Sequence, residues 1–240
     1  MIKCLFLLIF LVTSCVSYDH FDTSKASGSY GLASQLEKDE RYEEALMQYR
    51  DLKNRFPYSR YATLAEIQIA EIHFKKESFA EAQGAYQLFK ELHPRHEKID
   101  YITYQIGESL YRQLPSTIDR DLSLAPAAIR EFEVVLRDYP NSPYAKKAQE
   151  RRSDTLNKLA EKELYIADFY FRTNEFLYAL SRYEKYLKEH PSHEKKPHAL
   201  LRAAQAADKE SNEAKRKALL RQLIHDYPES GEAKQAKGIF

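Results

Sequence analysis

Two stretches concentrate the side chains most suited to metal binding or proton transfer: His93-Pro94-Arg95-His96-Glu97-Lys98 and His190-Pro191-Ser192-His193-Glu194-Lys195. Each offers two imidazoles three residues apart and a carboxylate. A helical metal site needs its histidines on one helix face, and the proline between them breaks that face. Both stretches also stand at the same place in two similar phrases, where a helix ends and a histidine is favoured by the helix dipole. They are read as turns, with no metal and no cofactor. The chain has no GxGxxG, no Walker loop, no HExxH and no GxSxG. Its Ser, His and Asp residues are not brought together by their order. The expectation is a protein that is not an enzyme.

The cysteines point to a different chemistry. Lys3 is followed by the unbroken apolar run Leu5–Val12, too short to span a membrane, which needs about 20 residues. The run ends in Val12-Thr13-Ser14-Cys15, which resembles a bacterial lipobox. Residues 1–14 then form a lipoprotein signal peptide, and Cys15 is acylated to become the mature N-terminus. Several acyl chains give durable anchoring, at about 0.8 kcal/mol per buried CH₂. Val16 rather than Asp after the cysteine favours the outer membrane. Cys4 leaves with the signal peptide, so no disulfide or thiol chemistry remains. Residues 15–29 carry Ser, Asp, Thr and Gly without an apolar period and read as a flexible tether.

The elements that position the rest are helices closed by five proline turns. Pro57, Pro94, Pro140, Pro191 and Pro228 each end a segment rich in Leu, Tyr, Lys and Glu. Proline cannot continue a helix, and the Ser that often follows can cap the next one. Twelve residues before four of these prolines stand Ala45, Ala82, Ala128 and Ala179; eight before stand Tyr49, Tyr86, Phe132 and Tyr183. A small residue lets two helices approach, and the aromatic fills the space beside it. This is the second helix of a tetratricopeptide repeat, whose period is about 34 residues. The fold class is all-α, a right-handed superhelical tetratricopeptide-repeat solenoid of about five helix pairs over residues 30–240. The third pair places Gly107 at its small position and carries an insertion, Pro115–Leu122. One long helix follows Pro143, running to about Arg172. A fifth, degenerate pair has Arg216 and Leu220 in place of the small residue and the aromatic. The chain ends soon after Pro228. With 37 basic and 36 acidic residues, nucleic acid is not the expected partner.

Several segments resemble the outer-membrane assembly lipoproteins of the BamD (ComL/YfiO) family. They are Phe56-Pro57-Tyr58-Ser59-Arg60-Tyr61-Ala62, Asp100-Tyr101-Ile102-Thr103-Tyr104 with Gly107, Ile118-Asp119-Arg120-Asp121, and Tyr139-Pro140-Asn141-Ser142-Pro143-Tyr144. The resemblance implies a periplasmic scaffold hung from the outer membrane by its N-terminal lipid. Its residues 143–240 would dock on the POTRA region of a BamA-type barrel protein, beside other lipoproteins of the machinery. Its residues 30–142 would receive the C-terminal signal of unfolded outer-membrane β-barrel proteins. The groove-facing candidates are Tyr30, Glu71, Lys75, Tyr101, Tyr104, Glu108, Tyr111 and Arg112, since Tyr stacks on aromatics and Arg or Lys pairs with a carboxylate. The docking candidates are Asp119, Arg120, Asp121, Lys195, Lys196, His198 and Arg202, with an Asp119–Arg120 ion pair as a brace for the inserted loop. The competing readings are a periplasmic repeat adaptor for envelope constriction, a repeat-bearing hydrolase and a general holdase.

Overall fold

The computed structural model describes residues 18 and 20–239; the leader, Cys15 and the first part of the tether lie outside them. Among the described residues every regular element is a helix: α1 Ala26–Lys38, α2 Tyr42–Arg55, α3 Arg60–Lys75, α4 Phe79–Leu92, α5 Ile99–Arg112, α6 Ala125–Asp138, α7 Ala145–Arg172, α8 Phe176–Glu189, α9 Lys196–Lys209, α10 Glu213–Asp226 and α11 Gly231–Ile239. The chain is an all-α array of tetratricopeptide-type helix pairs. It divides into two compact units, Met1–Lys75 and Lys76–Phe240. That break reflects packing, whereas the expected division at 142/143 concerned partners.

The repeated phrase makes the core of each unit. Ala45 and Tyr49 in the first unit are fully buried, as are Ala82, Tyr86, Ala128, Phe132, Ala179 and Tyr183 in the second. Gly107 earns its place sterically, because a Cβ there would stand 2.7 Å from the Phe132 ring. The proline turns are closed by short backbone bonds: the Ser59 N–H donates to the Phe56 carbonyl at 3.0 Å, and the Ser142 N–H to Tyr139 at 2.9 Å. The serine hydroxyls then serve the next helix, accepting from the Tyr61 N–H at 3.2 Å and from the Tyr144 N–H at 3.1 Å. The paired histidines also pack as turn residues. His93 and His96 lie against Phe89, at 4.7 and 5.1 Å between ring centres. His190 and His193 do the same with Tyr186, whose hydroxyl meets His193 Nδ1 at 2.7 Å. No group of three metal-ligating side chains occurs among the described residues.

Four connections, residues 39–41, 76–78, 173–175 and 210–212, take only three residues each. Each has a left-handed residue at its centre: Glu40, Glu77, Asn174 and Ser211, with φ from 57° to 63°. The α5–α6 connection, residues 113–124, carries the insertion and has no such residue.

Two expectations need correction. Residues 20–25 are not free tether. The Phe21 ring packs on Gly31 and the Asp22 carbonyl on Gly28, each so closely that a Cβ would collide. The Thr23 carbonyl accepts from Ser29 Oγ and from the Arg55 guanidinium, both at 3.0 Å. The Tyr18 hydroxyl donates to Asp39 at 2.7 Å, and the Arg41 guanidinium lies 5.2 Å above the Tyr18 ring. The segment runs back along α1, and α1 starts at Ala26 rather than at residue 30. The other correction is at the C-terminus, where the sequence beyond Pro228 forms α11. It buries Ala233 and Ala236, and the Ile239 carbonyl accepts from Arg216 at 3.1 Å.

Candidate docking groove

The first helices of the last two pairs, α7 and α9, lie side by side with α11 and the inserted loop. Their outward residues line a cleft of about 500 Å³: Ile118 from the loop, Glu161, Leu164, Tyr165 and Asp168 from α7, His198 from α9 with Lys195 just before it, and Glu232 from α11. Asp168 and His198 also line a neighbouring cleft of about 350 Å³ with Phe171, Arg172, Asn174 and Arg202. The two clefts form one groove along α7 and α9.

Asp168 is its pivot. Its carboxylate accepts from the Tyr183 hydroxyl at 2.5 Å and from His198 Nε2 at 3.1 Å. Burial pushes this carboxyl up, but the hydrogen bonds from His198 and Tyr183 outweigh it and hold the group below the ordinary carboxylate range. Burial, with the carboxylate beside it, pushes the Tyr183 hydroxyl far up in turn. Lys195 pairs with Glu161 at 2.8 Å on the rim, and the Arg202 guanidinium lies 4.8 Å above the Phe171 ring. Tyr165 on the groove wall remains substantially exposed. The groove therefore offers apolar and aromatic surface edged by fixed charges, and holds no arrangement of nucleophile and base.

The structure brings most of the expected docking residues to this region. Lys195, His198 and Arg202 line the groove. Lys196 points elsewhere, its ammonium 5.8 Å from the Tyr227 ring. Asp119, Arg120 and Asp121 are exposed on the loop whose Ile118 forms one wall. The brace of that loop differs from the expected Asp119–Arg120 pair. Lys162 on α7 donates to the Ile118 carbonyl at 3.2 Å and also to the Arg120 carbonyl. Asp121 caps the loop's end, accepting from the Ser123 N–H at 3.0 Å and hydroxyl at 2.6 Å. The Thr117 hydroxyl holds Asp119 below its usual range, and the Ser123 hydroxyl does so for Asp121. Sequence reasoning missed Tyr165, Asp168 and Glu232. Their signal is the i, i+3 spacing of Tyr165 and Asp168 on α7, visible only once α9 and α11 are known to flank that face.

The groove-facing candidates of the N-terminal half separate into two packing clusters. In the first unit, Tyr30 packs on Tyr49 and Tyr61 at about 5.5 Å between centres, and burial raises its hydroxyl. Lys75 pairs with Glu37 at 2.6 Å, and Glu71 is engaged in interactions of its own. In the second unit, Tyr104 and Glu108 are only 8% and 5% exposed, which removes them from any groove surface. Tyr104 stacks on Tyr144 and donates to Glu108 at 3.2 Å; burial first, and then Glu108, push its hydroxyl up to about 12. Glu108 accepts two bonds from Arg151, at 2.8 and 3.1 Å. That guanidinium lies 4.6 Å above the Tyr111 ring, and the Tyr111 hydroxyl donates to Asp154 at 2.7 Å. These residues join α5 to α7. Tyr101, Tyr111 and Arg112 keep part of their surface, and the Arg112 guanidinium lies 5.0 Å above the Phe79 ring.

Comparison with known proteins places this architecture. Residues 23–221 match the YfiO family model, described as an outer membrane lipoprotein. The chain is 31% identical over 159 residues to the outer membrane protein assembly factor BamD of Vibrio cholerae, covering 62% of this chain and 66% of that one. To the protein of the same name from Neisseria meningitidis it is 29% identical, covering 60% of this chain and 57% of the relative. To that of Pasteurella multocida it is 24% identical, covering 77% and 75%. The matched stretch thus spans just under two thirds of the first of these relatives and less of the second. The family match runs through both compact units and takes in the inserted loop and the α7 and α9 walls of the groove, so the chain belongs to the YfiO family of outer membrane lipoproteins.

Proposed function

We propose that this protein is a non-enzymatic scaffold of the machinery that assembles β-barrel proteins into the outer membrane. It is anchored to the periplasmic face through acylated Cys15. The α7–α9 groove and the braced insertion form its docking surface for a BamA-type barrel protein, with other lipoproteins of the machinery nearby. The N-terminal half, through Tyr101, Tyr111, Arg112 and the aromatic cluster around Tyr30, handles unfolded barrel proteins. The observation that carries the reading is the family match over residues 23–221, which covers the loop together with the α7 and α9 residues of the groove. A rigid groove with fixed charges at its rim suits a stable partner, because little ordering entropy is lost on docking.

The test is site-specific photo-cross-linking. A photoreactive residue at Tyr165 or Ile118, introduced in the acylated protein in intact cells, should capture a barrel protein with periplasmic POTRA repeats. Capture of division or peptidoglycan proteins at both sites, without any barrel protein, would replace this reading with the adaptor one.

A further inference from the structure

We infer that the turn between α1 and α2, residues 38–41, is a membrane-facing edge held among the lipid headgroups. The inference rests on acylation of Cys15. A free tether from Cys15 to Ala26 would have eleven peptide steps and a reach of about 38 Å. The structure shortens it, because the chain is already fixed at Tyr18. That side chain bonds Asp39 at 2.7 Å and lies under the Arg41 guanidinium. Phe21 and Thr23 secure the rest of the strap along α1. Only three peptide steps separate Cys15 from Tyr18, a reach of at most about 11 Å. Tyr18 sits at the α1–α2 end of the helix pair, so the lipid draws that end toward the bilayer and turns the opposite end of α2 away.

Charge does not supply this contact. Lys38, Asp39, Glu40 and Arg41 balance, and Arg41 is paired with Glu44. Covalent reach imposes the orientation, so the chain without its lipid should not bind anionic vesicles.

The experiment places a nitroxide label at Lys38→Cys or at Asn54→Cys in the acylated protein, reconstituted in phosphatidylcholine vesicles doped with a nickel-chelating lipid. The two positions lie at opposite ends of the pair, with α2 rising about 18 Å between Tyr42 and Asn54. Nickel-induced relaxation should be several-fold stronger at position 38 than at 54. Ten Gly and Ser residues inserted between Ser17 and Tyr18 should abolish the contrast while leaving the helical signal unchanged. Equal relaxation at both positions, or a contrast that survives the insertion, would overturn the inference while leaving the anchor intact. The mass of the N-terminal peptide separates the two: an unacylated Cys15 would overturn the anchor and the orientation together.

Discussion

Gly107 and Phe132 show how closely one residue can set the distance between two helices. Changing Gly107 to Ala improves helix propensity by up to about 1 kcal/mol, but overpacking against a fully buried ring costs about 1–3 kcal/mol. The expected result is a net loss of about 1 kcal/mol and a lower melting temperature, partly recovered by Phe132→Leu. The Glu108–Arg151 pair gives a sharper test. Arg151→Met leaves a nearly buried carboxylate without its cation and should cost about 3 kcal/mol, whereas Arg151→Met with Glu108→Gln should cost less. Urea titrations of the unmodified protein, Arg151→Met, Glu108→Gln and the double variant would show whether the cycle closes that way. Asp168 makes a prediction about pH. Its folded pKa lies below the unfolded value, so its contribution is present above the ordinary carboxylate range, near pH 4, and is lost as pH falls through the folded value. Asp168→Asn should flatten that acid limb of the stability curve in thermal melts. The core residues were legible because small and aromatic side chains recur at fixed distances from proline. The burial of Tyr104 and Glu108 was not, because its cause is Arg151 and Tyr144, some 40 residues onward.

At the level of elements, the sequence located the long α7 within two residues of its start, because proline, serine and the apolar period agree there. It missed α11, whose nine residues bury only two alanines and carry no large apolar residue inward. It also misread the strap. Gly28 counts there as tether composition, although its three-residue spacing from Gly31 puts both on one helix face, open to a close approach. The inserted loop tests how local its bracing is. Lys162→Met removes the ammonium that donates to both the Ile118 and Arg120 carbonyls. Hydrogen exchange in residues 116–123 should rise clearly, with global stability changed by less than about 1 kcal/mol, since these bonds are exposed in part.

For the whole molecule, the anchor and the fold should separate cleanly. Cys15→Ala should move the protein from the membrane to the soluble fraction while its helical circular dichroism stays the same, because among the described residues no helix is long and apolar enough to cross a membrane. Loss of the helical signal in that variant would show that the lipid contributes to folding.

The left-handed residues at Glu40, Asn174 and Ser211 let the chain reverse in three residues, with a backbone that side chains resist by about 1–2 kcal/mol. The α5–α6 connection has given up that device and reverses through a longer path, held by Lys162 and by the Asp121–Ser123 bonds. Its length is thereby uncoupled from the spacing of the helices on either side. That makes residues 116–121 a natural graft site: a foreign epitope or a reporter peptide could be spliced there without shifting the repeat register, whereas the same splice at residues 173–175 would have to rebuild the reversal itself.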